Sequence, residues 1–258
     1  MEETGKNPIQ VAERLFQVIE CLAENGPMGI MDLSAELGFH KSTTHRLVTS
    51  LQYMGYIRQD EESLKYALSL KFLEIGSKIL EQTNMASLIH PSLKKLSEQT
   101  GETVHLVRRE GTEAVYIDKV ESTVSSIRMV SRVGSRIPLY CSGVGKALLA
   151  ELPDPEIEDI WNSSEITSLT PYTVTRLSDL MDRIRGVREA GYAMDDEENE
   201  EGVRCIAVSI PDYHKEPVYA LSISAPVSRM TDARIAELST DVLTFKKDLE
   251  KTLGFSRS

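Results

Sequence analysis

At 258 residues, with 41% hydrophobic and 27% charged side chains, the chain has an ordinary globular make-up and room for a small domain plus a larger one, which excludes a disordered or fibrous protein. No apolar run approaches the roughly 18 residues of a membrane helix, and the opening MEETGKNPIQ lacks the basic-then-apolar order of a secretory signal, so a cytoplasmic location without a membrane partner is expected. The net charge of -11 argues against indiscriminate coating of nucleic acid, and three scattered cysteines, Cys21, Cys141 and Cys205, form no CxxC pair and read as reduced thiols, with no cofactor indicated.

Pro8 followed by Val11, Ala12, Leu15, Val18, Ile19 and Leu22 marks a first helix, stopped by Asn25-Gly26-Pro27. A short second helix fits residues 31–37, with Leu33 and Leu37 inward and Gly38 at its end. A third runs from about His40 to Met54, its apolar side formed by Leu47, Val48 and Leu51. Two helices joined by a Gly-containing turn are the signature of a helix-turn-helix. The outer face of the third helix offers Lys41, Ser42, Thr43, His45, Arg46 and Thr49, and no Asp or Glu occurs between Gly38 and Arg58. A helix in the major groove of double-stranded DNA needs this set: Arg grips guanine bidentately, Ser and Thr reach bases or phosphates, and free amides at the helix start favour a phosphate. Residues 56–59 and 64–68 flank Asp60-Glu61-Glu62-Ser63 as a hairpin would, which predicts a wing. Its acidic tip disfavours phosphate contact, so Arg58 and Lys65 are the better candidates there. Residues 70–83 resume helical spacing and suit a linker helix.

Beyond the linker, a helix is predicted over residues 88–99 and a hairpin over 103–108 and 114–120, turning at Glu110-Gly111. A short strand over 127–130 follows, then helices over 143–150 and 177–190, strands over 203–210 and 218–224, and a closing amphipathic helix over 232–253. This mixed order predicts an α+β fold with a layered sheet and helices. Ser222 and Ser224, two residues apart on one strand, project to one face, and on a buried face they need partners.

Gly-Phe-His-Lys-Ser-Thr-Thr-His-Arg-Leu (Gly38 to Leu47) ahead of Leu51-x-x-x-Gly55-Tyr56 resembles the IclR family of bacterial regulators. The likeness extends through Ser142-Gly143-Val144-Gly145-Lys146-Ala147, Gly191-Tyr192-Ala193-Met194-Asp195 and Gly202-Val203-Arg204-Cys205-Ile206-Ala207, covering about residues 8 to 253. The resemblance implies a winged helix-turn-helix over residues 1–69, a linker helix over 70–84, and a GAF-like effector-binding and oligomerisation domain over 85–258. It implies dimers or tetramers on operator DNA, mostly repressing operons for the catabolism of small carboxylic, sugar or aromatic acids. It places effector contacts at Asp195, Cys205, Ser222 and Ser224, with the backbone amides of Ser142, Gly143 and Val144. Amides at a helix start suit an anionic effector. Thr44 stands where the family more often has an apolar residue, and Ser209 where proline is commoner.

Other motifs fail on their own chemistry. Gly143-Val144-Gly145-Lys146 has Tyr140 where a phosphate loop needs its first glycine, and Ala147 where it needs Ser or Thr. The acidic run Asp195 to Glu201 lacks the spacing of a calcium loop and reads as solvated, with no metal expected. His105 reads as a packed or hydrogen-bonded core residue. The rival to a ligand-controlled repressor is a thiol-dependent hydrolase, which needs a cysteine paired with His90, His105 or His214, and no local signature supplies one. A constitutive architectural DNA binder is a third reading, and it would need no pocket.

Overall fold

The computed structural model describes residues 9–82, 85–122, 130–212 and 214–253. The chain divides into two compact units, Met1–Thr83 and Asn84–Ser258, each with its own core.

In the first unit α1 (Gln10–Asn25), α2 (Ile30–Leu37) and α3 (Lys41–Tyr53) precede a two-stranded antiparallel sheet, β1 (Ile57–Gln59) with β2 (Tyr66–Leu68), and α4 (Lys71–Gln82). The apolar stripes converge as their spacing dictates: Val18 and Leu22, Leu33, Leu47, Val48, Leu51, Ile57 and Tyr66 form one core. Burying a side chain of this size stabilises by about 1.5–3 kcal/mol. Gly38 ends α2 in the left-handed conformation at φ 65°, where a side chain would be strained, and so sets the turn into α3. The expected strands of the wing are longer than those observed. Leu64 takes a φ of 56° and its N–H bonds the Asp60 carbonyl at 3.0 Å, so Leu64 belongs to the turn and Lys65 precedes the strand. Asp60 also accepts the Ser63 N–H at 2.8 Å and the Ser63 hydroxyl at 2.7 Å, which gives one acid of the wing a structural task.

The second unit runs α5 (Met85–Thr100), β3 (Thr103–Glu110), β4 (Glu113–Val120), β5 (Arg136–Pro138), α6 (Gly143–Ala150), α7 (Asp154–Asn162), α8 (Leu177–Ala190), β6 (Ala193–Asp196), β7 (Val203–Ile210), β8 (Tyr219–Pro226) and α9 (Asp232–Thr252). Its six strands form one antiparallel sheet in the order β5-β4-β3-β8-β7-β6. Strand alternation then divides the unit into layers. One face, with Val104, Leu106, Ile206, Val208, Leu221 and Ile223, packs against Ile89 and Leu93 of α5 and Leu238 and Val242 of α9. The other, with Val107, Ala193, Ala207 and Ala220, receives α6 and α8. Small side chains and Gly143 and Gly145 bring α6 close to its neighbours. A Cβ at Gly145 would lie 2.1 Å from the Leu139 carbonyl oxygen.

Sequence reading omits α7 and β5 and gives β6 only as a motif. Leu152-Pro153-Asp154-Pro155 looks like a loop, but proline is tolerated in a first helical turn, where its missing N–H has no partner to lose. α5 starts three residues earlier than expected and accommodates Pro91 in its second turn. Of the strand expected over 127–130, residues 127–129 lie outside the described residues and Val130 is in no strand.

Candidate functional sites

On α3 the apolar positions Thr44, Leu47, Val48 and Leu51 are buried, and Lys41, Ser42, His45, Arg46 and Thr49 are exposed, with Thr43 half-buried. Thr44 is fully buried like the apolar residue it replaces, and its hydroxyl is satisfied by the His40 carbonyl at 3.3 Å. No side chain caps α3, and its first turn holds no acid, so its leading amides remain available to an anion. Among the described residues no hydrogen bond or ion pair engages the side chains of Lys41, Ser42, Thr43, His45, Arg46 or Thr49. Arg58 is exposed on β1 opposite Ala67, and Lys65 is exposed at the turn. The six side chains of α3 thus stand unengaged among the described residues, two of them cations, and Arg58 and Lys65 are exposed on the wing.

In the second unit the face that carries α6 changes character along its strands. Past Val107, Ala207 and Ala220 it becomes polar: His105 pairs with Ser222, Cys205 with Ser224, and Asp195 with Cys205 across neighbouring strands. The His105 Nδ1 lies 3.3 Å from the Ser224 Oγ and 3.5 Å from the Ser222 Oγ, and its Nε2 lies 2.7 Å from the Ser131 Oγ. Its ring meets Tyr116 edge-on at 5.2 Å. Burial, with Lys119 nearby, lowers the His105 pKa to about 3, so the ring is neutral and joins the hydroxyls as a polar but uncharged wall. Ser142 is the N-cap of α6: its hydroxyl donates to the Pro138 carbonyl at 2.6 Å and accepts the Gly145 N–H at 3.1 Å. Gly143 brings the helix start against Asp195, where a Cβ would sit 3.4 Å from the Asp195 nitrogen. The seven residues Ser142, Gly143, Val144, Asp195, Cys205, Ser222 and Ser224 thus fall in one region of one unit, between the start of α6 and the polar end of the sheet.

The acidic run after β6 is not uniformly solvated, contrary to the sequence reading. Glu197 takes a φ of 62° and turns the chain, so that Asp195 and Glu198 point inward while Asp196, Glu200 and Glu201 stay exposed. Asp195 is 4% exposed, Glu198 3%, and the Lys146 of α6 1%. Lys146 pairs with the Glu198 Oε1, and the Glu198 Oε2 has no hydrogen-bond partner among the described residues. Thr170 and Thr173 hold the turn by donating to the Glu197 and Glu198 carbonyls, each at 2.6 Å. The Asp195 Oδ1 accepts the N–H groups of Glu198 and Asn199 at 2.8 and 3.3 Å. Burial raises the Asp195 pKa to about 7, against the pull of Lys146 and with a further push from Glu198.

His105, Tyr116, Ser131, Lys146 and Glu198 were not singled out as site residues from sequence. A signal existed for Lys146: a lone cation in the otherwise apolar α6 must find a buried partner. The thiols of Cys205 and Cys141 are pushed up by burial, Cys141 to about 12, so neither is a ready nucleophile. An open groove of about 640 Å³ lies on α5 and α9, lined by Lys95, Gln99, Asp241 and Asp248. It is on the far side of the sheet from the polar cluster. Convergent buried polar groups orient a small ligand better than a solvated groove does, so the cluster is the stronger site. Among the described residues no group of three or more His, Cys, Asp or Glu is placed to hold a metal ion, and no helix is long and apolar enough to cross a membrane.

A family model for the IclR helix-turn-helix domain matches residues 11–61, and one for the C-terminal part of the bacterial transcriptional regulator IclR matches residues 77–250. The chain is 36% identical over 252 residues to the acetate operon repressor of Salmonella typhimurium, spanning 96% of this chain and 92% of that protein. It is 34% identical over 252 residues to the transcriptional repressor IclR of Escherichia coli, with the same coverage. The crystal structure of the repressor BlcR from Agobacterium tumefaciens matches with a TM-score of 0.77 at 25% identity, covering 98% of this chain and 100% of that one.

Proposed function

The chain belongs to the IclR family of bacterial transcriptional regulators, and on that premise we propose that it represses a catabolic operon through α3 and releases or tightens its operator in response to a small carboxylate or sugar acid. Its relatives are transcriptional regulators, not enzymes, which sets the thiol-hydrolase reading aside. In this proposal residues 1–69 are the winged helix-turn-helix, 70–84 the linker helix and 85–258 the effector-binding and oligomerisation domain, acting in the cytoplasm as a homodimer or homotetramer.

The observation that carries the DNA half is the acid-free outer surface of α3, whose cations are held in water rather than paired. Arg46 is assigned to a base edge, Lys41 to a phosphate near the uncapped helix start, Ser42, Thr43, His45 and Thr49 to bases or backbone, and Arg58 and Lys65 to flanking phosphates. The effector half rests on the convergence of Asp195, Cys205, Ser222 and Ser224 on the start of α6, where the amides of Ser142, Gly143 and Val144 favour an anion. One relative carries the name of an acetate operon, which agrees with a small carboxylate. An effector shifts operator binding only through different affinities for two arrangements of the protein.

The test is binding of the full-length protein to DNA from upstream of its own gene and of the neighbouring operon, with and without a panel of small carboxylates. Expected are a salt-sensitive complex and an affinity that a carboxylate changes. Indifference to all of these fragments at low ionic strength, whatever metabolite is present, would overturn the reading.

A further inference from the structure

We infer that the cluster at the start of α6 takes up an anionic effector together with one proton, which Asp195 holds, so that effector binding is proton-coupled. The inference rests on the effector reading above and adds the charge accounting that such a site requires.

Two buried carboxylates, Asp195 and Glu198, share one buried ammonium. Lys146 is paired with the Glu198 Oε1, and the Glu198 Oε2 is left without a partner among the described residues. Among the described residues, the titratable groups that bear on the Asp195 neighbourhood come from α6, the stretch before it, β4, β7 and the turn after β6. α6 brings Lys146 and the backbone of Gly143, and the stretch before α6 brings Cys141. β7 brings Cys205, β4 brings Tyr116, and the turn after β6 brings Glu198 and Glu200. Burial raises the pKa of Cys141, Cys205 and Tyr116, so all three stay neutral, and His105 on β3 is neutral too. Lys146 is the one cation among these described groups, and it is already shared.

The start of α6 is packed against Asp195, where a Cβ on Gly143 would be 3.5 Å from the Asp195 Cβ, so a carboxylate taken up at the first amides of α6 would have Asp195 as a neighbour. With both groups ionised, three carboxylates would surround one ammonium in a poorly solvated place. Adjacent buried carboxylates relieve this by keeping a proton. The proton comes from solvent, resides on the Asp195 carboxyl, and returns when the effector leaves. Because Asp195 sits near neutrality in the free protein, at about 7, the coupling is visible above that pH. Below it the carboxyl is already protonated, and affinity is flat. Above it affinity weakens by up to about tenfold per pH unit. The same concentration of carboxylate is then bound more tightly below about pH 7 than above it.

Calorimetry tests this on the full-length protein. Glycolate, lactate, pyruvate and gluconate are titrated at about pH 8 in phosphate and in Tris, whose ionisation heats differ widely; the binding heats should differ by close to one proton's worth. The wild-type Kd should rise several-fold between about pH 7 and 8, and in Asp195→Asn it should be independent of pH whatever its absolute value. Equal heats in the two buffers overturn the coupling and leave the effector reading standing; undiminished proton uptake in the variant overturns Asp195 as the group that holds the proton. The buffer comparison needs only wild-type protein, so a variant that fails to fold does not shelter the inference. If no acid of the panel binds, the carboxylate reading of the site fails, and the coupling with it.

Discussion

The outer surface of α3 and the polar cluster beside α6 use the same side-chain types, Lys, Ser and His, in opposite settings. On α3 these groups stand in water, unpaired among the described residues, and the fold gains nothing from them. Beside α6 they are enclosed: Lys146 meets Glu198, His105 meets Ser131, Ser222 and Ser224, and Ser142 closes its own helix. The first arrangement keeps recognition separate from stability, because solvated groups exchange water for DNA without a folding penalty. The second makes recognition and stability one matter, since a buried charge or donor without a partner is unfavourable whether or not a ligand is present.

The largest way to expose this difference is Lys146→Met. It removes the one ammonium shared by two buried carboxylates, and breaking such a pair is expected to lower unfolding free energy by about 3–5 kcal/mol in urea melts. A loss below about 1 kcal/mol would mean that the pair is solvated in solution.

Next in size is an effect of pH. His105 has a folded pKa of about 3, below its ordinary 6.5, so the unfolded chain binds a proton there that the folded chain refuses; its share of stability is lost as pH falls from about 6.5 toward 3. Asp195 is raised from 3.8 to about 7, so the folded chain holds a proton that the unfolded chain has released, and stability falls as pH rises across that interval. Between about 4 and 6.5 the two slopes oppose each other. Asp195→Asn removes one of them, and its stability, measured relative to wild type, should fall by about 1.4 kcal/mol per pH unit of acidification in that window. Parallel curves for the two proteins would show that Asp195 titrates normally.

On the other side of the comparison, Arg46→Ala should weaken binding to the cognate operator by about 1–3 kcal/mol at matched salt while changing stability by no more than about 0.5 kcal/mol. Equal affinity for the operator would remove Arg46 from the base-reading set. The smallest effect belongs to Thr44→Val. The hydroxyl of Thr44 bonds the carbonyl four residues back and, among the described residues, nothing else, so urea melts should move by less than about 1 kcal/mol, in either direction.

The same division governs how far the sequence could be read. α3 and the first-unit core were legible because apolar residues recur at helical spacing, and the solvated remainder identifies the outer face by subtraction. The shared facing of Ser222 and Ser224 followed from strand alternation alone. Lys146 was hidden in what looked like a failed phosphate loop, and Glu198 in what looked like a solvated acidic run. Their pairing joins positions 52 residues apart and depends on a turn at Glu197 that nothing in the run announces. Charged residues ordinarily belong outside, so only long-range geometry reveals the two that do not. α7 escaped because its prolines imitate a loop, and the wing strands were overextended because Leu64, an apolar residue, occupies a left-handed position within the turn.

The backbone contact between Gly145 and Leu139 has a mechanical corollary. With no room for even a methyl group between them, the first turn of α6 has no slack in that direction, and an effector bound as proposed would meet it as a fixed wall. Under the proposed reading, adjustment to effectors of different size would then fall to contacts away from that turn, such as Ser131, whose hydroxyl is hydrogen-bonded to His105 and whose carbonyl accepts from Lys119. Retuning the proposed site would start from that tether, leaving the glycines of the helix untouched.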